Sequence, residues 1–171
     1  KCLTGTDRVY EVAKKIKSKI YINVQGDEPL LHRSDLKKFI KEALKNPKVI
    51  HNGMTEIKEK KEYLSLNVPK LVINQKNFLL YMSRAQIPSS KYGKFEYALK
   101  QVCMYSFPRK DLLQFGKLKR KTFFEFYEDI EILRFLELGY KVKMIKVLNP
   151  SIGVDTIQDV RKVNKILKSR K

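Results

Sequence analysis

Apolar residues recur at two spacings in the first part of the chain, and each spacing predicts a different element. In residues 6–17 they stand three or four positions apart, which is typical of an amphipathic helix, with Thr6 as its N-cap. The apolar positions of this helix are Val9, Val12, Ala13 and Ile16. Residues 20–24 form a short, largely β-branched run that stops before Gly26, so a buried strand is predicted to follow the helix directly.

The same two spacings alternate through the rest of the chain. A second helix is predicted from Ser34, its N-cap, to about Asn46, with an inward face made of Leu36, Phe39, Ile40, Ala43 and Leu44. Further strands are predicted at residues 48–56, 69–74, 78–83, 100–107 and 141–147. Further helices are predicted at residues 128–138 and 156–168, the last with Thr156 and Asp159 as a capping box.

This alternation of strands and helices predicts an α/β fold. We expect a three-layer, Rossmann-like arrangement in which helices cover both faces of one mixed sheet. The sequence has no internal repeat, no low-complexity tract and no Pro-rich or Gly-rich linker. Residues 1–171 are therefore expected to form a single domain.

Charge narrows the choice of partners. The chain carries 37 Lys and Arg residues against 18 acidic ones, a formal net charge of +19, and such a field favours nucleotides, sugar acids or nucleic acid. A nucleic-acid site would gather basic residues into a stripe with exposed aromatic residues between them, whereas here they are scattered. A basic, non-enzymatic nucleic-acid-binding module is therefore the alternative hypothesis and not the leading one.

Composition and motif spacing exclude several other classes. An apolar content of 43% is typical of a globular protein, and no apolar run reaches the ~18 residues of a membrane span. The first residues lack the apolar segment of a signal peptide, so we expect no membrane partner and take the cytoplasm as the default location. Cys2 and Cys103 form no CxxC pair and, with His32 and His51, lack the spacing of a zinc site.

The segment Gln25-Gly26-Asp27-Glu28-Pro29 is a candidate site because it follows a predicted strand. In open α/β sheets, ligands bind outside the carboxyl ends of the strands. Gly26 permits close approach of a ligand to the backbone, and Asp27 supplies the hard oxygen ligand that suits Mg²⁺ beside a polyphosphate.

Two further residues are candidates by the same argument. Asp155 stands just before a predicted helix, where it fits either a second metal ligand or a helix cap. Arg84 follows another predicted strand, and its planar guanidinium suits a carboxylate or a phosphate.

In combination, four ordered motifs resemble the 3-deoxy-manno-octulosonate (Kdo) cytidylyltransferase family, also called CMP-Kdo synthetases. The motifs are Gly5-Thr6-Asp7-Arg8, Asn23-Val24-Gln25-Gly26-Asp27-Glu28-Pro29, Leu80-Tyr81-Met82-Ser83-Arg84-Ala85-Gln86-Ile87-Pro88 and Gly153-Val154-Asp155-Thr156. The resemblance runs from end to end of the chain. It implies a Rossmann-like nucleotidyltransferase fold and a reaction in which the anomeric hydroxyl of an acidic sugar attacks the α-phosphate of CTP.

The resemblance also implies roles for individual residues. Asp27 and Asp155 match the family's catalytic metal ligands, which would hold Mg²⁺. The positions that match nucleotide-binding residues are Gly5, Thr6, Arg8, Gln25 and Gly26. The positions that match sugar-binding residues are Arg84, Gln101, Tyr105 and Glu131. CTP and an acidic sugar are the expected partners, and a homodimer is compatible with the family.

The chain departs from the family pattern at three positions and at its start. Gln101 replaces a usual His, Cys103 a usual Gly, and Ile132 the Gln of a Glu-Gln pair. We therefore expect Ile132 to face a less polar part of the sugar. The expected sugar is Kdo or a related 2-keto-3-deoxy acid, and an acylneuraminate-type cytidylyltransferase is the alternative within the same class. The family begins with a strand and a basic loop that wraps the triphosphate. We expect this chain to lack that segment and to be inactive alone.

Overall fold

One six-stranded sheet organises the chain. A computed structural model describes residues 2–148, 152–154 and 156–169, and Asp155 lies outside them. The strands are β1 (Ile20–Val24), β2 (Ile50–Glu56), β3 (Lys70–Ile73), β4 (Leu79–Ser83), β5 (Leu99–Pro108) and β6 (Val142–Lys146). The helices are α1 (Gly5–Lys15), α2 (Arg33–Lys45), α3 (Lys60–Leu64), α4 (Arg109–Phe115), α5 (Phe123–Glu128), α6 (Ile132–Glu137) and α7 (Ile157–Ser169).

Strand β5 is the centre of the sheet. It pairs antiparallel with β2 along one edge, and along its other edge with β3 near its start and β1 near its end. β4 pairs with β3, and β6 runs parallel to β2, so the sheet is mixed. The predicted α/β fold with a mixed sheet is confirmed.

Alternate residues of β5 serve two different hydrophobic cores. On one face Phe107 stacks on Phe135 of α6, with ring centroids 5.4 Å apart, in a core that also includes α1 and α4. On the other face Met104 packs with Phe39 of α2. Helices therefore cover both faces, which gives three layers.

The predicted strands are all present, while the helix boundaries needed correction. Thr4, and not Thr6, caps α1 by accepting a hydrogen bond from the Asp7 N–H, and His32, and not Ser34, caps α2. The helix expected at residues 128–138 is shorter and spans Ile132–Glu137, because Asp129 adopts a left-handed backbone with φ 50° that separates it from the preceding short helix α5. The Thr156–Asp159 capping box is confirmed by reciprocal hydrogen bonds. No described helix combines the length and the apolar composition needed to cross a bilayer.

The buried face of α1 differs from the predicted apolar stripe, because the helix buries polar Thr6 and Asp7 and leaves Val12 and Ile16 exposed. Leu44 of α2, also expected to face inward, is exposed as well. Asp7 is buried because it takes part in an ion network with Arg134.

Arg134 of α6 is fully buried and binds two carboxylates. Its Nη1 donates to Asp7 Oδ1 at 3.2 Å, and its Nε and Nη2 donate to the two carboxylate oxygens of Glu125 at 2.6 and 2.5 Å. Its guanidinium also lies 3.8 Å from the ring centroid of Phe115. The network joins α1, α5 and α6 and fixes the start of α1 against the core.

We predict that Arg134→Met lowers the free energy of unfolding by about 3–5 kcal/mol, because it leaves Asp7 and Glu125 without their buried counter-charge. Urea unfolding measures the loss. The matched control is Lys14→Met, which removes an exposed ion pair with Glu11 and should change little. Equal effects of the two substitutions would contradict a structural role for the buried network.

We also predict a pH effect from His51, which is 2% exposed in β2. Burial, together with the charge of Lys143, lowers the pKa of His51 from 6.5 to about 4. Between these values the unfolded chain binds a proton that the folded chain does not, so the free energy of unfolding falls as the pH drops from 6.5 to 4. His51→Gln should make this fall shallower, whereas His32→Gln, at an exposed helix cap, should not. Identical pH profiles for His51→Gln and the unmodified protein would refute the assignment.

Candidate functional site

An open cleft of about 570 Å³ lies where β1 ends and α1 begins. Its lining residues are Leu3, Thr4, Gly5, Arg8, Val9, Asn23, Val24, Gln25, Gly26 and Asp27. Two motifs separated in sequence, at the start of α1 and at the end of β1, thus meet in one place. Five of the residues that the resemblance assigned to nucleotide or metal binding line this cleft, and those roles stay predictions.

Glu131, which precedes α6, holds the two sides of the cleft together. One of its carboxylate oxygens accepts from Gln25 Nε2 at 2.8 Å, and the other accepts from the Thr6 N–H at 2.5 Å. Gly5 lies against this pair, since a Cβ built there would stand 2.9 Å from Gln25 Nε2 and 3.2 Å from Glu131 Oε1. A side chain at Gly5 would therefore press on the Gln25 amide and the Glu131 carboxylate.

The turn that carries Asp27 is fixed by two other segments of the chain. The Gln25 N–H donates to the Cys103 carbonyl of β5 at 3.1 Å, and the Val154 N–H donates to the Asp27 carbonyl at 2.8 Å. The residue next to Asp155 therefore lies beside Asp27, although Asp155 itself falls outside the described residues.

The carboxylate oxygens of Asp27 fit a hard divalent cation. Mg²⁺ is usually held by one or two carboxylates, with phosphate oxygens and water completing its coordination. The described part of the chain contains no group of three or more His, Cys, Asp or Glu side chains placed to hold a metal, so a softer all-protein site has no support there.

Cys103 lies beside the same turn, and its thiol is unreactive. Its N–H donates to Glu28 Oε1 at 3.1 Å. Burial, with the carboxylates of Glu28 and Asp27, raises the pKa of the Cys103 thiol far above its ordinary value. The thiol is therefore protonated at neutral pH and is not a nucleophile.

Arg84 lies at the end of β4 and binds the main chain. Its Nε, Nη1 and Nη2 donate to the carbonyls of Glu128, Leu66 and Asp129 at 2.5, 2.9 and 3.2 Å. The Glu128 carboxylate accepts in return from the Arg84 N–H at 2.8 Å. Arg84 thus clamps the turn between α5 and α6, two residues before Glu131, and is not among the residues that line the cleft.

Three other predicted site residues are buried or half-buried, and their predicted roles stay predictions. The Thr6 side chain and Tyr105, which is 2% exposed, are buried, so Thr6 offers only its backbone to the site and Tyr105 is a core residue stacked on Phe107. Gln101 is half-buried and donates to Asn52 Oδ1 at 2.8 Å. The expectation that Ile132 faces a sugar is wrong, because Ile132 is 1% exposed within the core.

The structure adds Lys70, which the sequence arguments missed. It is fully buried in β3 and donates to the carbonyls of Ser65, at 2.7 Å, and Arg84, at 2.5 Å. Burial, with the neighbouring Arg84 charge, lowers the pKa of Lys70 to about 8. The signal in the sequence was a lysine directly before the apolar run Leu71-Val72-Ile73, at the start of a predicted strand.

A mixed α/β sheet with such a cleft at the carboxyl end of β1 is the arrangement of a nucleotidyltransferase. A family model described as cytidylyltransferase matches residues 1–145. The 3-deoxy-manno-octulosonate cytidylyltransferase of Geotalea uraniireducens is 37% identical over 177 residues, covering 96% of this chain and 70% of that protein. The mitochondrial enzyme of the same name from Arabidopsis thaliana is 33% identical, covering 99% of this chain and 60% of that protein.

A solved structure gives the same result at the level of the fold. The structure of CMP:2-keto-3-deoxy-manno-octonic acid synthetase complexed with CTP matches with a TM-score of 0.86 and 29% identity, covering 99% of this chain and 70% of that one. The chain belongs to the 3-deoxy-manno-octulosonate cytidylyltransferase family, as its motifs implied.

We predict that Gly5→Ala raises the dissociation constant for CTP about tenfold, because the new methyl group displaces the Gln25 amide and removes one hydrogen bond. Thermal unfolding should change little, since the displaced atoms are the ends of flexible side chains. Val12→Ala is the comparison, because Val12 is an exposed residue of the same helix that is not among the cleft-lining residues, and it should leave CTP affinity unchanged. Unchanged CTP affinity in Gly5→Ala, measured by titration calorimetry, would contradict this description of the cleft.

Proposed function

We propose that the protein transfers CMP from CTP to Kdo or a closely related 2-keto-3-deoxy sugar acid and releases pyrophosphate. The observation that carries the proposal is the meeting of Gly5, Arg8, Gln25 and Asp27, from two motifs, in one cleft beside the end of β1. Family membership supports the same reaction. In this reaction an oxygen–phosphorus bond forms at the α-phosphate, and the bond between the α-phosphorus and the bridging oxygen breaks.

The side chains of the cleft suit a nucleotide with a charged tail. Arg8 is exposed at the rim and supplies a guanidinium for phosphate or ribose oxygens. Gln25 offers an amide to the nucleoside, and Gly26 lets the backbone approach it. In phosphoryl transfer the protein mainly positions the reactants and stabilises phosphate charge, so this lining is what the reaction needs.

The proposal includes Mg²⁺, held by Asp27 and Asp155. The support is the Val154–Asp27 hydrogen bond, which brings the chain next to Asp155 to the turn that carries Asp27. When bound, such a cation would neutralise charge on the transferring phosphate. Asp27 would orient the cation, and the Gln25 and Val154 backbone bonds would hold Asp27 in place.

The sugar side of the site rests on Arg84 and Gln101. A guanidinium has five N–H groups, and the three carbonyl bonds of Arg84 leave two for a sugar carboxylate. Gln101 keeps its carbonyl oxygen for a sugar hydroxyl, because its bond to Asn52 uses the amide nitrogen. These two side chains are the proposed sugar contacts, and a role for Glu131 on the sugar is not needed to explain its position.

Pyrophosphate release by the full-length gene product, with CTP, Mg²⁺ and each acid in turn, tests the proposal. We expect release with Kdo, its amino analogue or a sialic-type acid, and Kdo to be the preferred acid because its enzymes are the relatives found. Absence of release with all three acids would refute the function.

No observation on the described residues favours the nucleic-acid-binding alternative over the enzyme. A homodimer and a cytoplasmic location stay predictions.

We predict that Asp27→Asn lowers turnover by about 100-fold or more, because the metal contributes to the transition state more than to substrate binding. The Mg²⁺ concentration needed for half-maximal rate should rise, while thermal unfolding stays unchanged. Asp111→Asn, on α4 and outside the cleft, is the control. Near-normal turnover with an unchanged Mg²⁺ requirement would remove Asp27 from the metal site.

A further inference from the structure

The polarity of the Gln25 side chain is set by a neighbour. A glutamine amide has a donor end and an acceptor end, whereas an ionised carboxylate only accepts hydrogen bonds. Because Gln25 lies 2.8 Å from Glu131 Oε1, the end that faces Glu131 must be the NH₂ group. The orientation of this amide therefore follows from the chemistry of the pair.

Glu131 is itself held in one orientation. Its second oxygen accepts from the Thr6 N–H, a main-chain donor in the first turn of α1 that cannot reverse its polarity. Gly5 lies directly against the Gln25–Glu131 pair. The carboxylate is thus fixed at both oxygens.

The other end of the Gln25 amide is its carbonyl oxygen, Oε1. Gln25 is half-buried and lines the cleft, and among the described residues none donates a hydrogen bond to its Oε1. That oxygen is an acceptor presented to a ligand, and it is complementary to a donor on that ligand.

We propose that Glu131 is a positioning residue that fixes Gln25 with its carbonyl oxygen toward the ligand, so that the cleft selects a nucleoside carrying a hydrogen-bond donor at this point. The proposal rests on CTP being the substrate. Two groups of CTP are donors of the right kind, the 4-amino group of cytosine and the ribose hydroxyls. Uracil has an acceptor oxygen where cytosine has its amino group, so a fixed acceptor would discriminate between the two bases.

The substitution Glu131→Gln should reverse this polarity. The new amide has one oxygen and one NH₂ group where the carboxylate had two oxygens. The Thr6 N–H keeps the oxygen, so the NH₂ group faces Gln25. Gln25 must then turn its amide over to accept from it, and its own NH₂ group enters the cleft as a donor.

The experiment measures dissociation constants of the full-length protein for CTP, UTP, 2′-deoxy-CTP and 3′-deoxy-CTP by titration calorimetry. If the amino group is the donor, we expect the unmodified protein to prefer CTP over UTP. Glu131→Gln should then lower that preference at least tenfold, with the deoxy ratios unchanged. If a ribose hydroxyl is the donor, the preference for CTP over one deoxy analogue should fall instead. A site that hydrogen-bonds one group rejects analogues lacking it by large factors, so either change is measurable.

Glu11→Gln is the matched control, since it makes the same chemical change in an exposed ion pair on the outer face of α1 and should leave all ratios unchanged. A second variant, Gln25→Met, keeps the side-chain length but replaces the amide with a thioether, which donates no hydrogen bond and accepts only weakly. It should abolish the preference without reversing it, and it tests the proposal if Glu131→Gln fails to fold.

Two negative results are distinguishable. If the unmodified protein does not bind CTP, the proposed function fails. If it binds CTP and a folded Glu131→Gln protein keeps every ratio within twofold, the positioning role of Glu131 is overturned.

Discussion

The carboxylate of Glu131 is the interaction on which the site depends. It joins the first turn of α1 to the end of β1 through hydrogen bonds that span 125 and 106 residues of sequence. Three residues further on, Arg134 joins the first turn of α1 to α5 by binding Asp7 and Glu125. The start of α6 therefore sets both the shape of the cleft and the position of the helix that forms its wall.

The sugar-side residues connect to the same point. Arg84 binds the carbonyls of Glu128 and Asp129, immediately before the Glu131 turn, and Lys70 in turn binds the Arg84 carbonyl. Hydrogen bonds thus connect Lys70 of β3, through Arg84 at the end of β4, to the turn that precedes Glu131.

The sequence was sufficient for the strands and for the motifs that lie on short loops, because period-two patterns and glycine-containing turns are local signals. It was insufficient where a long-range contact decides which side chains are buried. Asp7 is buried because Arg134 requires it, and this displaced the expected apolar face of α1. Ile132 follows Glu131 directly, yet in the first helical turn adjacent residues point in different directions, so one faces the site and the other the core. Tyr105 shares the Cys103 face of β5 but is covered by helices.

The start of α1, the end of β1 and Glu131 before α6 are proposed to form one nucleoside site with a fixed acceptor. A crystal structure of the full-length protein with a non-hydrolysable CTP analogue tests it most directly. We expect the nucleoside in the cleft lined by Gly5, Arg8 and Gln25, with a donor group of the nucleoside within about 3 Å of Gln25 Oε1. A nucleoside bound elsewhere, or one that presents an acceptor to Gln25 while Glu131 keeps its bond to Thr6, would contradict it.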